Sequence, residues 1–361
     1  MGAGLADPAT MNEGRAILAD VVARLFTERV TRELRQSAET DVWPDALWAA
    51  VEENGLTLPL VPEAQGGAGS TWGDAHVVVS AAGRHAVPLP LPETIVAAWL
   101  LAGAGLDVPA GPLTLAPAQR DDDLRVKPTT GGFRLDGTAR RVPWGAVARH
   151  VVVVAAVDGH TLVARAAAGS FRVEPDRNLA REPRDTLVFD ATPVAAAPAG
   201  VGVPPDAVWQ YGALVRAAQI AGGVDAILRS ATRYATERRQ FGKPIGAYQA
   251  IQQNLAVLAG HAAAADIAAA HAFRAADRGD AAFEIGVAKV RAGEAAGIGA
   301  SIAHQVHGAL GFTYEHDLQF VTRRLWAWRA EFGGEGWWAT ALGREVAGWG
   351  ADALWSTVTS R

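Results

Sequence analysis

One long stretch without a helix breaker constrains the fold of this chain more than any other feature. Residues 206–237 contain no proline, and their apolar side chains recur at three- and four-residue steps, the spacing of one helical face. This is long for a helix of a globular protein. The same spacing continues over 247–276, 280–306, 315–328 and 337–355. The sequence therefore predicts a four-helix-type bundle over residues 204–361.

A second helical region lies at the other end of the chain. Apolar residues at helical spacing predict helices over 11–34, 43–53, 71–84 and 92–101. Asn54-Gly55 ends the second of these, and a glycine-rich loop at 66–69 precedes the third. These features predict an N-terminal helical domain over residues 1–110.

The region between the two helical parts has a different pattern. After the turn-forming segment 108–112, short runs rich in Val, Leu, Phe and Thr alternate with turn residues. Asp158-Gly159 gives the clearest hairpin, because Asp-Gly suits the positive φ angles of a tight type I′ turn. We therefore predict a β-domain over residues 111–203 and, for the whole chain, an α+β fold.

Composition excludes several classes of function. The net charge of −5 and the isoelectric point near 6.0 give no basic surface for nucleic acid. The absence of cysteine excludes disulfides, thiolate nucleophiles, iron–sulfur clusters and cysteine zinc sites. Neither a signal peptide nor an uncharged apolar run of eighteen residues is present, so we expect a cytoplasmic protein without a membrane segment.

Two motifs carry a family resemblance. The first is Glu237-Arg-Arg-Gln-Phe-Gly-Lys-Pro-Ile245, followed by Tyr248-Gln-Ala-Ile-Gln252. The second, roughly 65 residues later, is Gln305-Val-His-Gly-Ala-Leu-Gly-Phe-Thr-Tyr-Glu-His-Asp-Leu318. Together they closely resemble the acyl-CoA dehydrogenase family of flavoproteins, whose order of helical, β and helical domains agrees over almost the whole chain.

The resemblance implies FAD as cofactor and indicates which residues bind it. Arg238 falls on the arginine that reaches the FAD pyrophosphate across a subunit interface, where a fixed guanidinium suits a diphosphate. Phe241 would lie against the adenine end. Gln305 and the backbone of Gly308 and Ala309 fall on positions that contact the adenosine half. Ala309 departs mildly from the family, which usually has glycine there.

The β-domain departs further from the family. Residues 142–145 correspond to the segment beside the flavin ring, and Trp144 is expected to stack near the isoalloxazine. The family's Thr-Glu-Pro-Gly-Ser-like strand end is reduced to residues 113–117. Most of the polar groups that recognise flavin are therefore missing.

The same residues also fit purely structural roles. Arg238 and Arg239 suit a solvated helix terminus, where cations complement the helix dipole. Gly308 and Gly311 suit a helix stop. The shared order and separation of the two motifs favour the cofactor interpretation.

Two other groups of residues invite a functional interpretation. His304 and His307 lie three apart on one helix face, but no carboxylates at ligand spacing accompany them, so we expect no metal site. The tryptophans near the C-terminus are more typical of a core or a subunit interface, and we favour an interface; they include Trp326, Trp328, Trp337 and Trp338.

The catalytic base is the residue that decides the function. A dehydrogenase of this family removes the α-proton of an acyl thioester with a carboxylate whose pKa is tuned by an apolar pocket. Counting from the second motif places the common base position at Phe332, and counting back from the first places the alternative position at Gly212. Neither is a carboxylate. Glu331, one residue short, is the candidate base, although one residue turns a helical side chain by about 100°.

These departures suggest a supporting subunit. Residues 311–317 and Arg323-Arg324 resemble the actinobacterial branch of the family, some of whose members form α2β2 heterotetramers that act on CoA thioesters of sterol side chains. One subunit type supplies the base and most of the flavin pocket there, and the other is a degenerate partner. This chain resembles the degenerate, non-catalytic partner.

The resulting function is α,β-dehydrogenation of an acyl-CoA with FAD, with electrons passed to an acceptor such as an electron-transfer flavoprotein. On this interpretation the chain needs a paralogous partner for a complete active site. Three alternatives remain open in the sequence. The first alternative is a self-sufficient homotetrameric dehydrogenase with Glu331 as displaced base. The second is a scaffold without flavin, and the third is a flavin monooxygenase on the same fold.

Overall fold

The computed structural model describes residues 8–361 and shows helices at both ends of the chain and a β-domain between them. The N-terminal helices are α1 (Pro8–Arg29), α2 (Arg32–Ala38), α3 (Asp45–Glu53), α4 (Trp72–Arg84) and α5 (Leu91–Gly103). The single helix predicted over 11–34 is two helices. Thr31 starts the second, because its hydroxyl accepts a hydrogen bond from the Leu34 amide (3.2 Å) as an N-cap.

The middle of the chain forms one mixed sheet with strand order β1-β4-β5-β7-β3-β2 and with β6 paired to β7. Its strands are β1 (Leu113–Ala116), β2 (Leu124–Thr129), β3 (Gly132–Pro143), β4 (His150–Val157), β5 (His160–Ala167), β6 (Arg172–Glu174) and β7 (Arg184–Pro198). Only the β1–β4 pair is parallel among these strands. The predicted Asp158-Gly159 hairpin is confirmed: both residues have positive φ (49° and 80°), and Val157 pairs with His160.

The C-terminal part consists of long antiparallel helices, as predicted. They are α6 (Ala207–Glu237), α7 (Gln249–Arg278), α8 (Ala282–His307), α9 (Leu318–Ala330), α10 (Glu335–Trp349) and α11 (Ala351–Thr359). A small hairpin of β8 (Arg239–Gln240) and β9 (Lys243–Pro244) lies between α6 and α7. The last helix predicted, over 337–355, is divided at Gly350, whose φ of 80° ends α10.

The N-terminal helices and the bundle share one hydrophobic core, and the β-domain has a smaller second core. The close crossing of α4 and α6 joins the two helical parts. A Cβ at Gly83 would lie 2.0 Å from the Gln219 carbonyl oxygen, and one at Gly222 would lie 1.9 Å from that of Ser80. Only glycine permits this approach. The predicted α+β fold with helical, β and helical parts is confirmed.

One of the described helices, α7, has the length and hydropathy of a membrane span, with a mean hydropathy of 1.3 over its most apolar window. Only 28% of that window is buried. The helix packs along α6 and α8. A single helix that meets this test is weak evidence and does not establish a membrane segment.

Candidate functional site

A cavity of about 650 Å³ lies where the end of α6, the β8–β9 hairpin and the end of α8 meet. Five of the six residues predicted to bind the cofactor line it, and they are Arg238, Phe241, Gln305, Gly308 and Ala309. The two motifs are far apart in sequence but line the same cavity. Residues of both motifs can therefore contact one ligand.

The first wall of the cavity is built by the turn that follows α6. Arg238 leaves helical geometry (φ −71°, ψ 121°) and its amide donates to the Tyr234 carbonyl (2.8 Å). Phe241 and Gly242 then both adopt positive φ (50° and 83°), the geometry of a type I′ turn. This turn leaves the Phe241 side chain 92% exposed at the mouth of the cavity. An apolar ring held in solvent in this way is suited to contact another molecule.

The second wall is the end of α8. Gly308 follows the helix with φ 60° and ψ −143°, a conformation that favours glycine, and its amide donates to the His304 carbonyl. A Cβ built at Gly308 would meet no atom, so the backbone here faces open space. Gln305 lines the cavity one turn earlier.

His307 and Tyr234 complete the wall, and sequence reasoning missed both as cavity residues. The ring of His307 stacks on Tyr234 with centroids 4.7 Å apart, and its ring nitrogens lie 2.7 Å from the Ala303 carbonyl oxygen and 3.2 Å from the Ser230 hydroxyl. Burial lowers the pKa of His307, so the imidazole is neutral at pH 7. The only signal in the sequence was the position of His307 inside the second motif.

His304 faces a different environment from His307. Its ring lies between Phe312 (4.3 Å) and Trp326 (5.6 Å), and Nε2 is 3.0 Å from the Thr322 hydroxyl. Among the described residues, no group of three or more His, Asp or Glu side chains is placed to hold a metal ion.

Trp144, the sixth predicted cofactor residue, lies elsewhere. It lines a separate cavity of about 270 Å³ between the α2–α3 connection and the β-domain. Its side chain is buried, and its ring meets Trp43 edge-on at 6.4 Å. Within one chain the structure therefore does not bring Trp144 together with the other five.

The two positions expected for a catalytic base touch each other. A Cβ built on Gly212 of α6 would lie 2.5 Å from Cδ1 of Phe332, which follows α9. Phe332 and Gly333 have positive φ (51° and 90°), and this turn directs the phenyl ring onto α6. Phe332 is 2% exposed. The phenyl ring of Phe332 thus fills the space between the two positions at which the sequence motifs predict a carboxylate.

Glu331 is buried but is not placed as a base. Its carboxylate accepts from Arg184 (Nε to Oε1, 2.7 Å; Nη2 to Oε2, 3.1 Å), from Arg216 Nε (2.7 Å) and from Asn178 Nδ2 (3.1 Å). Burial alone would raise its pKa, but the two guanidiniums lower the pKa to about 2. A base for this reaction needs a raised pKa and a free oxygen. The interpretation of Glu331 as a displaced base is therefore corrected: it is one of three carboxylates in a buried ion-pair cluster.

The cluster continues on both sides of Glu331. Arg216 also pairs with Glu93 of α5, and Arg184 pairs with Glu182 (2.9 Å), which in turn binds Arg324 of α9 (2.9 Å). All six side chains are nearly inaccessible to solvent. Because three guanidiniums meet three carboxylates, the charges compensate one another in the interior. The cluster connects α5, the start of β7, α6 and α9.

Aromatic side chains cover Phe332 on its outer side. The ring of Trp209 lies 6.4 Å from that of Phe332 and 5.5 Å from that of Trp337. The Arg120 guanidinium lies over both tryptophans, at 5.5 and 4.8 Å from their ring centroids. These four side chains form a column from the buried position expected for a base to the surface, which we call the aromatic plug; they are Phe332, Trp209, Trp337 and Arg120.

Comparison with known families gives two matches that together cover more than half of the chain. Residues 12–107 match the family described as "Acyl-CoA dehydrogenase, N-terminal domain". Residues 206–336 match "Acyl-CoA dehydrogenase, C-terminal domain".

Three similar proteins illustrate the relationship. The chain is 33% identical to acyl-CoA dehydrogenase FadE34 of Mycobacterium tuberculosis over 84% of its own length, but it spans only 42% of the length of FadE34. It is 32% identical to acyl-CoA dehydrogenase IpdE2 of the same organism, over 87% of this chain and 92% of IpdE2. The solved structure of the Tcur3481-Tcur3483 steroid ACAD superposes with a TM-score of 0.84 at 26% identity, covering 93% of this chain and 98% of that one.

Proposed function

This chain belongs to the acyl-CoA dehydrogenase family, as its motifs suggested, and on that premise we propose that it is the supporting subunit of a heteromeric dehydrogenase. The enzyme would carry out α,β-dehydrogenation of a CoA thioester with FAD. This chain would supply the cavity for the adenosine half of FAD, and a paralogous partner would supply the base and the flavin-ring pocket.

The contact between Phe332 and Gly212 is the observation that carries the proposal. Removal of an α-proton requires a carboxylate within hydrogen-bond reach of the substrate carbon. Both positions from which the family supplies that carboxylate are occupied here by atoms that cannot accept a proton. Within residues 8–361, the side chains around these two positions are those of the aromatic plug and of Glu331, whose carboxylate is already paired. On this proposal the base comes from another chain.

The residues of the 650 Å³ cavity fit the adenosine diphosphate end of FAD. Arg238 makes no ion pair within the described part of the chain, so its guanidinium is available to a diphosphate. The backbone at Gly308 faces open space, and Phe241 offers an exposed ring to an adenine. Bound FAD would supply the hydride acceptor of the reaction. The residues here would only bind and orient its nucleotide end.

The flavin-ring end does not fit the β-domain of the same chain. Leu115 and Ala116, in the segment that resembles the family's flavin-binding strand end, are fully buried. Thr114 of that segment donates to the Pro143 carbonyl, so its hydroxyl already has a partner. The polar groups that would recognise an isoalloxazine are absent from this segment, and this supports a ring pocket in the partner.

The comparisons support the same assignment. The name of the solved structure Tcur3481-Tcur3483 joins two proteins and describes them as a steroid ACAD. We therefore favour a heterotetramer over a homotetramer, a CoA thioester of the steroid class as substrate, and lipid or sterol catabolism as the process. An electron-transfer flavoprotein is the proposed acceptor, and the cytoplasm is the proposed location.

Visible absorbance of the purified protein tests this function. The chain is expressed alone and together with its paralogue, and each preparation is then mixed anaerobically with a steroid CoA thioester. We expect the chain alone to be colourless and the complex to be yellow, with one FAD for each pair of chains and bleaching by the thioester.

Two variants make the test specific to the cavity. Arg238→Gln should lower the FAD content of the complex, because it removes the diphosphate partner. The matched control is Arg239→Gln, since Arg239 is adjacent and exposed and its side chain donates to the Gly242 carbonyl. A chain that is yellow alone and bleaches would contradict the proposal. A colourless complex would indicate the scaffold, and a yellow complex that reacts only with a flavin reductase and oxygen would indicate the monooxygenase.

A further inference from the structure

A second open groove, of about 510 Å³, crosses the β-domain and takes no part in the function proposed above. The strand register places its key side chains on one face of the sheet. Arg134 of β3 pairs with Pro193 of β7, and Arg165 of β5 pairs with Ala195 of the same strand. Residues 193 and 195 point to the same side, because side chains alternate along a strand. Arg134 and Arg165 therefore flank β7 from opposite sides on a common face.

The floor of the groove is made of small side chains. Pro193 and Ala195 lie between the two arginines, and Ala167 lies opposite His150 in the β4–β5 pair. The arginines are two strand spacings apart across the sheet, roughly 10 Å. A ligand resting on this floor would have a guanidinium on each side.

The charge of the groove is entirely of one sign. Its lining contains the cations Arg134 and Arg165 and no carboxylate. Arg165 donates only to the backbone carbonyl of Asp107 (2.5 Å), and within the described residues neither arginine forms an ion pair. Cations held together without counter-charge attract an anion.

His150 adds an unsatisfied group. Its Nδ1 is buried and has no hydrogen-bond partner among the described residues, and buried polar nitrogens are usually paired. Burial, followed by the charges of Arg165 and Arg149, lowers the pKa of His150. The ring is thus neutral at pH 7, with one nitrogen that donates and one that accepts.

One acid beside the groove, Asp136, already has partners. Asp136 follows Arg134 on the same face of β3, but it accepts from Lys127 Nζ (2.9 Å) and from the Ala191 amide (2.7 Å). Its charge is therefore compensated by a residue outside the groove.

At the open end, the turn between β2 and β3 contributes the hydroxyls of Thr129 and Thr130 and the backbone of Gly131 and Gly132. Cβ atoms at both glycines would meet nothing within 4 Å, so this backbone is accessible. Hydroxyls and free amides are common partners of phosphate oxygens.

We propose that this groove binds the diphosphate group of an organic ligand, with Arg134 and Arg165 contacting it from opposite sides. Guanidinium suits a phosphate because it donates in a planar fork, and two arginines on either side of the floor match two linked phosphates better than one. The groove shares no lining residue with the 650 Å³ cavity, so the proposal does not depend on the FAD assignment.

Calorimetric titration with ADP and with pyrophosphate tests the site. Arg238→Gln is the background for all titrations, because it weakens any binding of these probes in the other cavity. We expect one site for ADP, and a roughly tenfold loss of affinity in Arg134→Gln and again in Arg165→Gln. Equal binding of pyrophosphate would show that the diphosphate alone is recognised, and tighter binding of ADP would show that the organic part contributes.

The control is Arg172→Gln on β6, which removes the same charge from the same domain outside the groove. Circular dichroism of each variant shows whether the fold is intact, and Arg134→Lys and Arg165→Lys retain the charge if the Gln variants do not fold. The proposal is overturned if neither probe binds the Arg238→Gln protein, or if Arg172→Gln weakens binding as much as the groove variants.

Discussion

Phe332 occupies the space that any side chain at position 212 would need. Three atoms of its ring lie within 2.6 Å of a Cβ built on Gly212. Helix α6 and the turn after α9 therefore depend on each other: the glycine admits the ring, and the ring fills the gap left by the glycine.

Gly212→Ala should destabilise the fold by about 1–3 kcal/mol, because the buried ring must leave its position. Phe332→Ala should cost about 3–5 kcal/mol by leaving a cavity. In the double variant the new methyl group enters that cavity, so its cost should be less than the sum of the single costs. Urea unfolding of the four proteins measures the coupling. Strictly additive costs would show that the two positions do not interact.

The sequence led to both residues of this contact but not to the contact itself. Counts from the two motifs led separately to Phe332 and Gly212 as the expected base positions. The helices and the Asp158-Gly159 hairpin were also predictable, because apolar spacing and turn chemistry are local signals. That Phe332 and Gly212 touch is visible only in the fold, because residue patterns contain no such three-dimensional relationship.

The role of Glu331 was not predictable in the same way. Its partners Arg216 and Arg184 lie 115 and 147 residues away in the sequence, and no periodicity links them. An isolated glutamate next to an expected base position suggested catalysis. Only the fold shows that two arginines already bind it.

Glu331→Gln tests that structural role. The substitution keeps the shape of the side chain but leaves Arg184 and Arg216 without their shared charge. We expect a loss of about 3–5 kcal/mol, the range for breaking a buried ion pair. The matched control is Glu335→Gln, whose pair with Arg329 is partly exposed and should be worth less than about 1 kcal/mol. Equal effects of the two substitutions in urea unfolding would contradict the assignment.

The same carboxylate should make the chain sensitive to acid. The pKa of Glu331 is lowered from 4.5 to about 2 in the folded state, so the unfolded chain binds the proton more tightly. The carboxylate of Glu331 therefore contributes about 3 kcal/mol to the free energy of unfolding above about pH 4.5. This contribution is lost as the pH falls toward 2. Unfolding free energies measured from pH 6 to pH 3 should fall less steeply in Glu331→Gln than in the unsubstituted chain. Parallel curves would exclude Glu331 as the source.

Lys289 should give a pH dependence of the same sign, but in the alkaline range. Its ammonium is buried and donates to the carbonyls of Arg329 (2.7 Å) and Gly333 (2.6 Å), on both sides of the turn that carries Phe332. Burial lowers its pKa from 10.5 to about 7, so between these values the unfolded chain binds more protons than the folded chain. Stability should therefore increase as the pH rises from 7 toward 10, by up to about 1.4 kcal/mol per pH unit.

Lys289→Met removes the titrating group, and with it this increase should disappear. Lys127→Met provides the matched control, because Lys127 is exposed and pairs with Asp136 at the surface, and it should keep the increase. The measurement is the free energy of unfolding in urea at pH 7, 8 and 9 for the three proteins. If Lys289→Met and the unsubstituted chain gain the same stability over this range, another group titrates. The turn that positions Phe332 would then be held by an ammonium that stays charged.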